Sequence, residues 1–254
     1  MWDPVVYGRY ADERSRPFHE LVARVGAVEP ARVVDLGCGD GALTATLAAR
    51  WPGASVLGVD SSAQMLASVP AGAGLRFEAG TIEDWRPEGP VDVLVSNAAL
   101  QWVSRHWEHL PRLVAALAPG GWLALQVPGN GDAPTYARLT ELRNSPRWRD
   151  RLGGAGRWPD VPDPADYVRL LAGLGCAVDA WETTYAHVLT GPDPVLNWVR
   201  GTALRPVLDR LPAAEAAEFE AEYAPMLRAA YPEQPFGTVL PFRRVFVVAQ
   251  AGAR

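Results

Sequence analysis

The sequence predicts an α/β fold built on a mostly parallel, doubly wound sheet, and three observations carry that prediction. Short apolar runs alternate with helix-length amphipathic stretches across residues 31–128, a glycine cluster closes the first run, and an acidic residue closes the second. At 254 residues the chain is read as one domain. Within it, residues 1–30 form an N-terminal helical cap, 31–128 a cofactor-binding core, and 187–237 a helical insertion over the substrate.

The elements follow in order. Ser15-Arg16-Pro17 has the chemistry of a helix start, and Phe18, Leu21, Val22 and Val25 then recur at helical spacing. Arg32-Val33-Val34-Asp35-Leu36 is a strand-length apolar run, Gly41–Arg50 reads as a helix, and Ala54–Val59 reads as the next strand, which completes a βαβ unit. Further strands are predicted at Gly74–Glu78, Val91–Ser96 and Trp122–Val127, with a helix at His106–Leu117. A Gly/Pro-rich stretch then runs to Pro164, followed by a helix at Ala165–Leu174 and a strand-like segment at Ala177–Thr184. Between His187 and Gly237 the pattern is mostly helical, including Ala213–Ala230, and it is too long to be a plain loop. The final strand is predicted at Phe242–Ala249.

Composition excludes several classes of function. The formal charge of −5, with no cluster of basic residues interleaved with aromatics, argues against nucleic acid as a partner. No apolar run approaches the roughly 18 residues of a membrane span, and the first residues lack a basic-then-apolar leader, so a cytoplasmic protein is expected. Cys38 and Cys176 make neither a disulfide framework nor a metal pattern, which fits a reducing compartment and a protein without a metal. Every basic side chain other than histidine is arginine, and with abundant Ala, Gly and Pro this reads as base composition, not function.

The chemistry is concentrated in Val33-Val34-Asp35-Leu36-Gly37-Cys38-Gly39-Asp40-Gly41 and, at the next strand end, Gly58-Val59-Asp60-Ser61-Ser62. Glycines at 37, 39 and 41 let the backbone turn tightly and approach a ligand, while the following helix presents unpaired amides. About twenty residues later a carboxylate at a strand tip is placed to accept both hydroxyls of a ribose, which is the role expected of Asp60. A nicotinamide dehydrogenase also combines a glycine-rich loop with an acidic strand end. Here, however, the spacing is G-x-G-x-G instead of G-x-G-x-x-G, and Asp35 precedes it inside the strand.

VVDLGCGDG, GVDSSAQML, GTIEDW and SNAALQWV, in that order, resemble the class I S-adenosylmethionine-dependent methyltransferases. The resemblance implies a Rossmann-like, seven-stranded, mostly parallel sheet with an antiparallel last strand and a helical cap insertion, with S-adenosylmethionine as cofactor. Gly37 and Gly39, with Gly41, would line its methionine portion, Asp35 would support its amino group directly or through water, and Asp60 would hold the ribose. Ser61 and Met65 would lie near the adenine, Ile82 would pack on it, and Asn97 would face the methionine amino group through its backbone. Thr81 stands where relatives usually carry an aspartate for the adenine amino group, and Asp84 or the Thr81 hydroxyl would compensate. Outside this half, Glu13-Arg14-Ser15-Arg16-Pro17, Asn97–Trp102, Trp181–Tyr185 and Pro241-Phe242-Arg243-Arg244 resemble the trans-aconitate 2-methyltransferase family, most weakly over Gly129–Asp163.

That family's reaction is methyl-ester formation on one carboxylate of a small acid. A carboxylate, ionised at neutral pH, needs no general base, so no catalytic acid–base pair is expected and positioning does the work. The remaining charges of a tricarboxylate call for arginine forks. The last strand is expected to start beside the ligand end of the sheet with Arg243 and Arg244, of which one faces the pocket, Arg244 by family matching. His187 would follow the neighbouring strand, Arg14 and Arg16 would open the first helix, and Tyr7 or Tyr10 would help close the site. Gln101 and Trp102 would sit near methyl transfer, Trp102 also reading as a core residue. No obligate protein partner is implied. Two other functions stay open: methylation of a different small acid or hydroxyl metabolite, and cofactor binding without turnover.

Overall fold

The computed structural model describes residues 11–69, 72–153 and 160–252. They divide into two compact units, one of residues 14–69, 72–128, 160–183 and 244–252, the other of residues 11–13, 129–153 and 184–243.

The first unit opens with helix α1 (Ala11–Ala23), followed by β1 (Arg32–Leu36), α2 (Ala42–Arg50), β2 (Ser55–Asp60), α3 (Ala63–Leu66) and β3 (Leu75–Ala79). Then come β4 (Val91–Asn97), α4 (Leu110–Ala115) and β5 (Leu117–Pro128), and after the second unit's α5 (Pro134–Arg143) and α6 (Arg149–Leu152) the chain returns as α7 (Pro164–Gly173). β6 (Cys176–Leu189) and β8 (Gly237–Ala251) complete the sheet, whose main path is β3-β2-β1-β4-β5-β8-β6. β1, β2, β3, β4 and β5 pair in parallel, and β5 with β8 is antiparallel. The strands read as unbroken Val/Leu runs because helices cover both faces: Val33, Leu36, Leu94, Leu123, Leu125, Val245 and Val247 are all fully buried. The strand order reverses between β1 and β4, and the crevice at their carboxyl ends is where ligands bind in open α/β sheets.

The loop after β4 is anchored from below. His106 Nε2 and the Tyr167 hydroxyl on α7 meet at 2.5 Å, both buried. Desolvation, with nearby His109 a smaller cause, lowers the His106 imidazole to about 4, so it is neutral and acts as a structural tie.

The second unit is helical: α5, α6, α8 (Pro194–Arg200), α9 (Arg205–Leu208) and α10 (Ala213–Ala230). Its core is aromatic, with Trp148, Trp198, Phe219 and Tyr223 buried, and the Tyr223 hydroxyl donates to the Thr135 carbonyl at 2.6 Å. A two-residue strand β7 (Glu233–Gln234) pairs with the start of β8 and adds an eighth strand to the expected seven. Among the described residues no helix is long and apolar enough to cross a membrane.

Several boundaries correct the sequence reading. α1 begins at Ala11, not Ser15, and carries Pro17 inside it; the buried stripe of Phe18, Leu21 and Val22 holds the helix through the rung that Pro17 cannot donate. The helix expected over His106–Leu117 is a 3-10 turn, His106–His109, followed by the shorter α4, and Leu117 already belongs to β5. β8 starts at Gly237, so Arg243 and Arg244 lie within the strand instead of opening it. Pro241 does not stop that strand: the Arg243 carbonyl accepts the Gly129 amide on the β5 side, so Pro241, two residues earlier, faces that side too, beyond the last β5 partner at Arg244. His187 likewise lies inside β6, which runs on to Leu189.

Candidate active site

The turn from β1 into α2 is built by its glycines. Gly37, Gly39 and Gly41 have φ of 81°, 60° and 74°, a left-handed region that side chains rarely enter. A Cβ on Gly37 would also lie 2.1 Å from the Ala99 Cβ, so only glycine lets this loop touch the segment that follows β4. The Gly37 and Cys38 amides donate to the Val59 carbonyl at 2.7 and 3.1 Å. Asp60, at the tip of β2, then accepts the Gly39 amide on Oδ2 at 2.9 Å and the Ser62 amide on Oδ1 at 2.8 Å. A carboxylate has about four acceptor sites, so these two bonds fix its plane and leave one on each oxygen for a ligand's paired hydroxyls.

Asp35 lies one strand over and is buried, with the Thr44 hydroxyl donating to Oδ2 at 2.6 Å. Desolvation raises its pKa from 3.8 to about 6; the Thr44 bond pulls the other way, and Asp60 adds repulsion. A carboxylate this costly to ionise is suited to a cationic ligand group. Cys38, beside the same acids, is pushed far up, chiefly by burial and then by Asp35 and Asp60, so it stays a thiol.

On the far side of the loop, the Met65 methyl lies 3.8 Å from where a Cβ on Gly39 would be, and Ser62 caps α3 by accepting the Met65 amide at 3.3 Å. Ser61 is exposed. Thr81 and Asp84 form a reciprocal capping pair: the Thr81 hydroxyl donates to Asp84 Oδ2 at 2.8 Å and accepts the Asp84 amide at 3.1 Å. Ile82 is buried in the hydrophobic core. Sequence reasoning missed Arg112 on α4, whose guanidinium holds the Trp85 and Ile82 carbonyls at 2.7 and 2.8 Å and so fixes the backbone carrying Ile82. A lone arginine on a helix gives no signal for such a role.

At the end of β4, Ala98 has φ of 52°, a strained conformation for a residue with a side chain. Its amide is held by the Gln126 carbonyl at 2.9 Å, and its own carbonyl accepts from Gln101 Nε2 at 2.5 Å. Gln101 is buried, whereas Trp102 is 56% exposed, which corrects its reading as a core residue: the 3-10 turn Leu100–Trp102 turns it outward. Arg244 is buried, and its Nη1 donates to Gln126 Oε1 at 3.0 Å.

The remaining expected site residues have the following surroundings. Arg243 is half-buried in the second unit's framework, where Asn130 brackets its backbone at 2.8 and 3.0 Å and its Nη1 donates to the Gly129 carbonyl at 3.2 Å. His187 is buried among aromatics of the second unit, its ring centroid 4.8 Å from Trp198 and 6.0 Å from Tyr185. Arg16 sits inside α1, not at its start, and pairs with Glu20 at 2.7 Å on an exposed face. Arg14 too lies within α1; its side chain, Tyr7 and Tyr10 fall outside the described residues.

These features together define a class. A family model described as a methyltransferase domain matches residues 8–180. The YcgJ protein of Bacillus subtilis shares the fold with a TM-score of 0.61 over 93% of this chain and 98% of that one, at 14% identity. Phosphoethanolamine N-methyltransferase 2 of Haemonchus contortus, solved with S-adenosyl-L-methionine, shares it at 0.56 over 93% of this chain and 52% of that one, at 15% identity. The chain has the class I methyltransferase fold and is a methyltransferase. The trans-aconitate 2-methyltransferase of Streptomyces avermitilis is 52% identical over 262 residues, covering 99% of this chain and 97% of the relative. That of Rhodococcus jostii is 52% identical over 98% of this chain and 99% of the relative. The chain belongs to the trans-aconitate 2-methyltransferase family.

The buried acid gives a stability test. Because Asp35 titrates at about 6 in the fold and near 3.8 when unfolded, the folded state holds a proton that the unfolded state has released between those values. Stability contributed by Asp35 is therefore lost as pH rises from about 4 through 6. Asp35→Asn should stabilise the ligand-free protein by about 1–3 kcal/mol at pH 7.5, with the difference shrinking toward pH 4. Urea melts at both pH values check this; an Asn variant less stable at pH 7.5 contradicts it.

Proposed function

We propose that this protein transfers a methyl group from S-adenosylmethionine to a carboxylate of trans-aconitate, giving the monomethyl ester and S-adenosylhomocysteine. The observation that carries the proposal is the 52% identity to trans-aconitate 2-methyltransferases over nearly the whole length of both chains. The cradle fits the cofactor: paired acceptors on Asp60 suit ribose hydroxyls, and a buried acid at Asp35 suits an ammonium group. When bound, S-adenosylmethionine supplies an electrophilic methyl on a sulfonium. Gly37, Gly39 and Gly41 would line its methionine portion, Asn97 would receive the amino group through its backbone, and Ser61, Met65, Thr81 and Ile82 would flank the adenine. The proposed setting is the cytoplasm, in keeping with two cysteines that are buried and unbridged, and the proposed reaction calls for no obligate partner chain.

For the acceptor, the protein needs to hold and aim an already ionised carboxylate. Alignment of oxygen, carbon and sulfur can supply roughly 7–11 kcal/mol of barrier lowering. Arg244 is the principal clamp for a carboxylate that is not methylated, since its burial strengthens a fork-to-carboxylate bond that water would weaken. Arg14, Arg16, Arg243, Tyr10, Gln101, Trp102 and His187 complete the proposed substrate set.

Asp60→Ala should weaken S-adenosylmethionine binding by about 2–3 kcal/mol and lower the melting temperature of the free protein, because the same oxygens hold the Gly39 and Ser62 amides. Calorimetry and thermal melts report the two effects; unchanged affinity in a folded variant, or tight binding of a nicotinamide dinucleotide, removes Asp60 from the ribose.

Arg244→Lys keeps the charge but loses the planar fork. kcat/KM for trans-aconitate should fall by about 1.5–3 kcal/mol with little change in cofactor affinity, and Arg243→Lys should act more weakly. Product analysis by mass spectrometry across di- and tricarboxylates is the measurement. Wild type inactive on trans-aconitate leaves methylation of another small acid or hydroxyl, and no turnover on any acceptor leaves a binding protein.

A further inference from the structure

The register of three strands sets Asn97, Gln126 and Arg244 in one row. Asn97 lies opposite Gln126, and on the next strand Phe246 is opposite Gln126 and Arg244 opposite Pro128. Opposite residues share a sheet face and alternate residues return to it, so all three occupy one face at the carboxyl ends of β4 and β5. Gln126 is fully buried, and its Oε1 accepts from Arg244. A guanidinium can only donate, so the amide oxygen must be the atom that faces it, and the amide orientation is thereby fixed.

The consequence is chemical. Gln126 Nε2 is directed away from Arg244 with two donor hydrogens, buried, and meets no acceptor among the described residues. A leucine of similar size would carry no unmet donor of its own at this place, whereas a buried amide N–H without an acceptor is costly. Group and neighbour together select the ligand: adjacent donors, one of them cationic, suit an anionic oxygen and repel an ammonium group. The shared chemistry is a carboxylate, available from the methyl acceptor or from the methionine end of the cofactor.

We propose that Gln126 is a positioning and specificity residue for the acceptor: it holds the Arg244 fork in plane and adds its own N–H to the same non-reacting carboxylate. This role rests on the acceptor chemistry proposed above, and it explains why an amide and not an aliphatic side chain stands beside Arg244. A dicarboxylate or tricarboxylate uses all of these donors; a monocarboxylate, whose single carboxylate is the methylated one, uses none.

The test is steady-state kinetics of the full-length Gln126→Leu and Gln126→Glu variants on trans-aconitate and on crotonate as a monocarboxylate probe, with S-adenosylmethionine affinity by calorimetry. KM for trans-aconitate should rise about ten- to a hundredfold in Gln126→Leu, with affinity for the cofactor within about twofold and the preference for trans-aconitate over crotonate collapsing. Gln126→Glu keeps the packing and an acceptor for Arg244 but cancels its charge, so its KM should rise at least as far; it also serves if the leucine variant does not fold. Equal losses on both acids mark a structural role and overturn the proposal. A cofactor affinity change with the trans-aconitate KM intact assigns the donor to the cofactor carboxylate and also overturns it. Variants that match an active wild type sink the role of Gln126 alone, whereas a wild type inactive on trans-aconitate sinks the functional proposal itself.

Discussion

The site depends first on the Asp60 carboxylate. By accepting the Gly39 amide on one oxygen and the Ser62 amide on the other, it ties the loop after β1 to the turn after β2. Neither loop has regular structure of its own at this point, and three left-handed glycines make the first one easily distorted. Once stapled, the loop is held on its other side by its contact with Ala99, where a Gly37 side chain would not fit. The three strand ends β1, β2 and β4 are thus locked to one another by one charge and one missing methyl group.

A second constraint is electrostatic. Asp35, Asp60 and Asp40 crowd the same loop, and the deepest of them, Asp35, lies near the thiol of Cys38 with the Thr44 hydroxyl as its side-chain hydrogen-bond donor. That arrangement is unfavourable for the protein alone, which is why Asp35 holds its proton up to about pH 6. A purely structural residue at this position would be better neutral. Stability is given up at the place where a positively charged ligand would restore it, the usual pattern at binding sites.

The cofactor half was legible because its signals are local. Glycine spacing, a strand-tip acid and alternating apolar runs each report backbone conformation within a few residues, and β1, α2, β2 and β4 fall within a residue or two of expectation. The failures were tertiary. Pro17 was read into a helix start and the last strand was begun only at Phe242, yet a buried helix face tolerates Pro17 and Pro241 faces the β5 side beyond its last partner. Trp102 carries the opposite error, a tryptophan in a hydrophobic run that is exposed, and His187, expected to follow its strand, lies inside it among Tyr185, Trp198 and Phe242. Gln126 was invisible because a glutamine in an apolar strand becomes informative only when its partner across the sheet is known.

Charge bears on the proposed acceptor site. The chain carries a net −5, so its long-range field repels a polyanion and electrostatic steering cannot supply recognition. Attraction must be short-range and therefore desolvated, where an arginine fork gains most from a carboxylate and loses most if nothing fills it. At Arg244, 4% exposed, a neutral acceptor satisfies a guanidinium N–H without cancelling its charge. A carboxylate partner would cancel the charge, and an apolar neighbour would leave the N–H unmet. The Gln126 amide meets both conditions, and the donor left over on its nitrogen has the same sign of polarity as the arginine beside it.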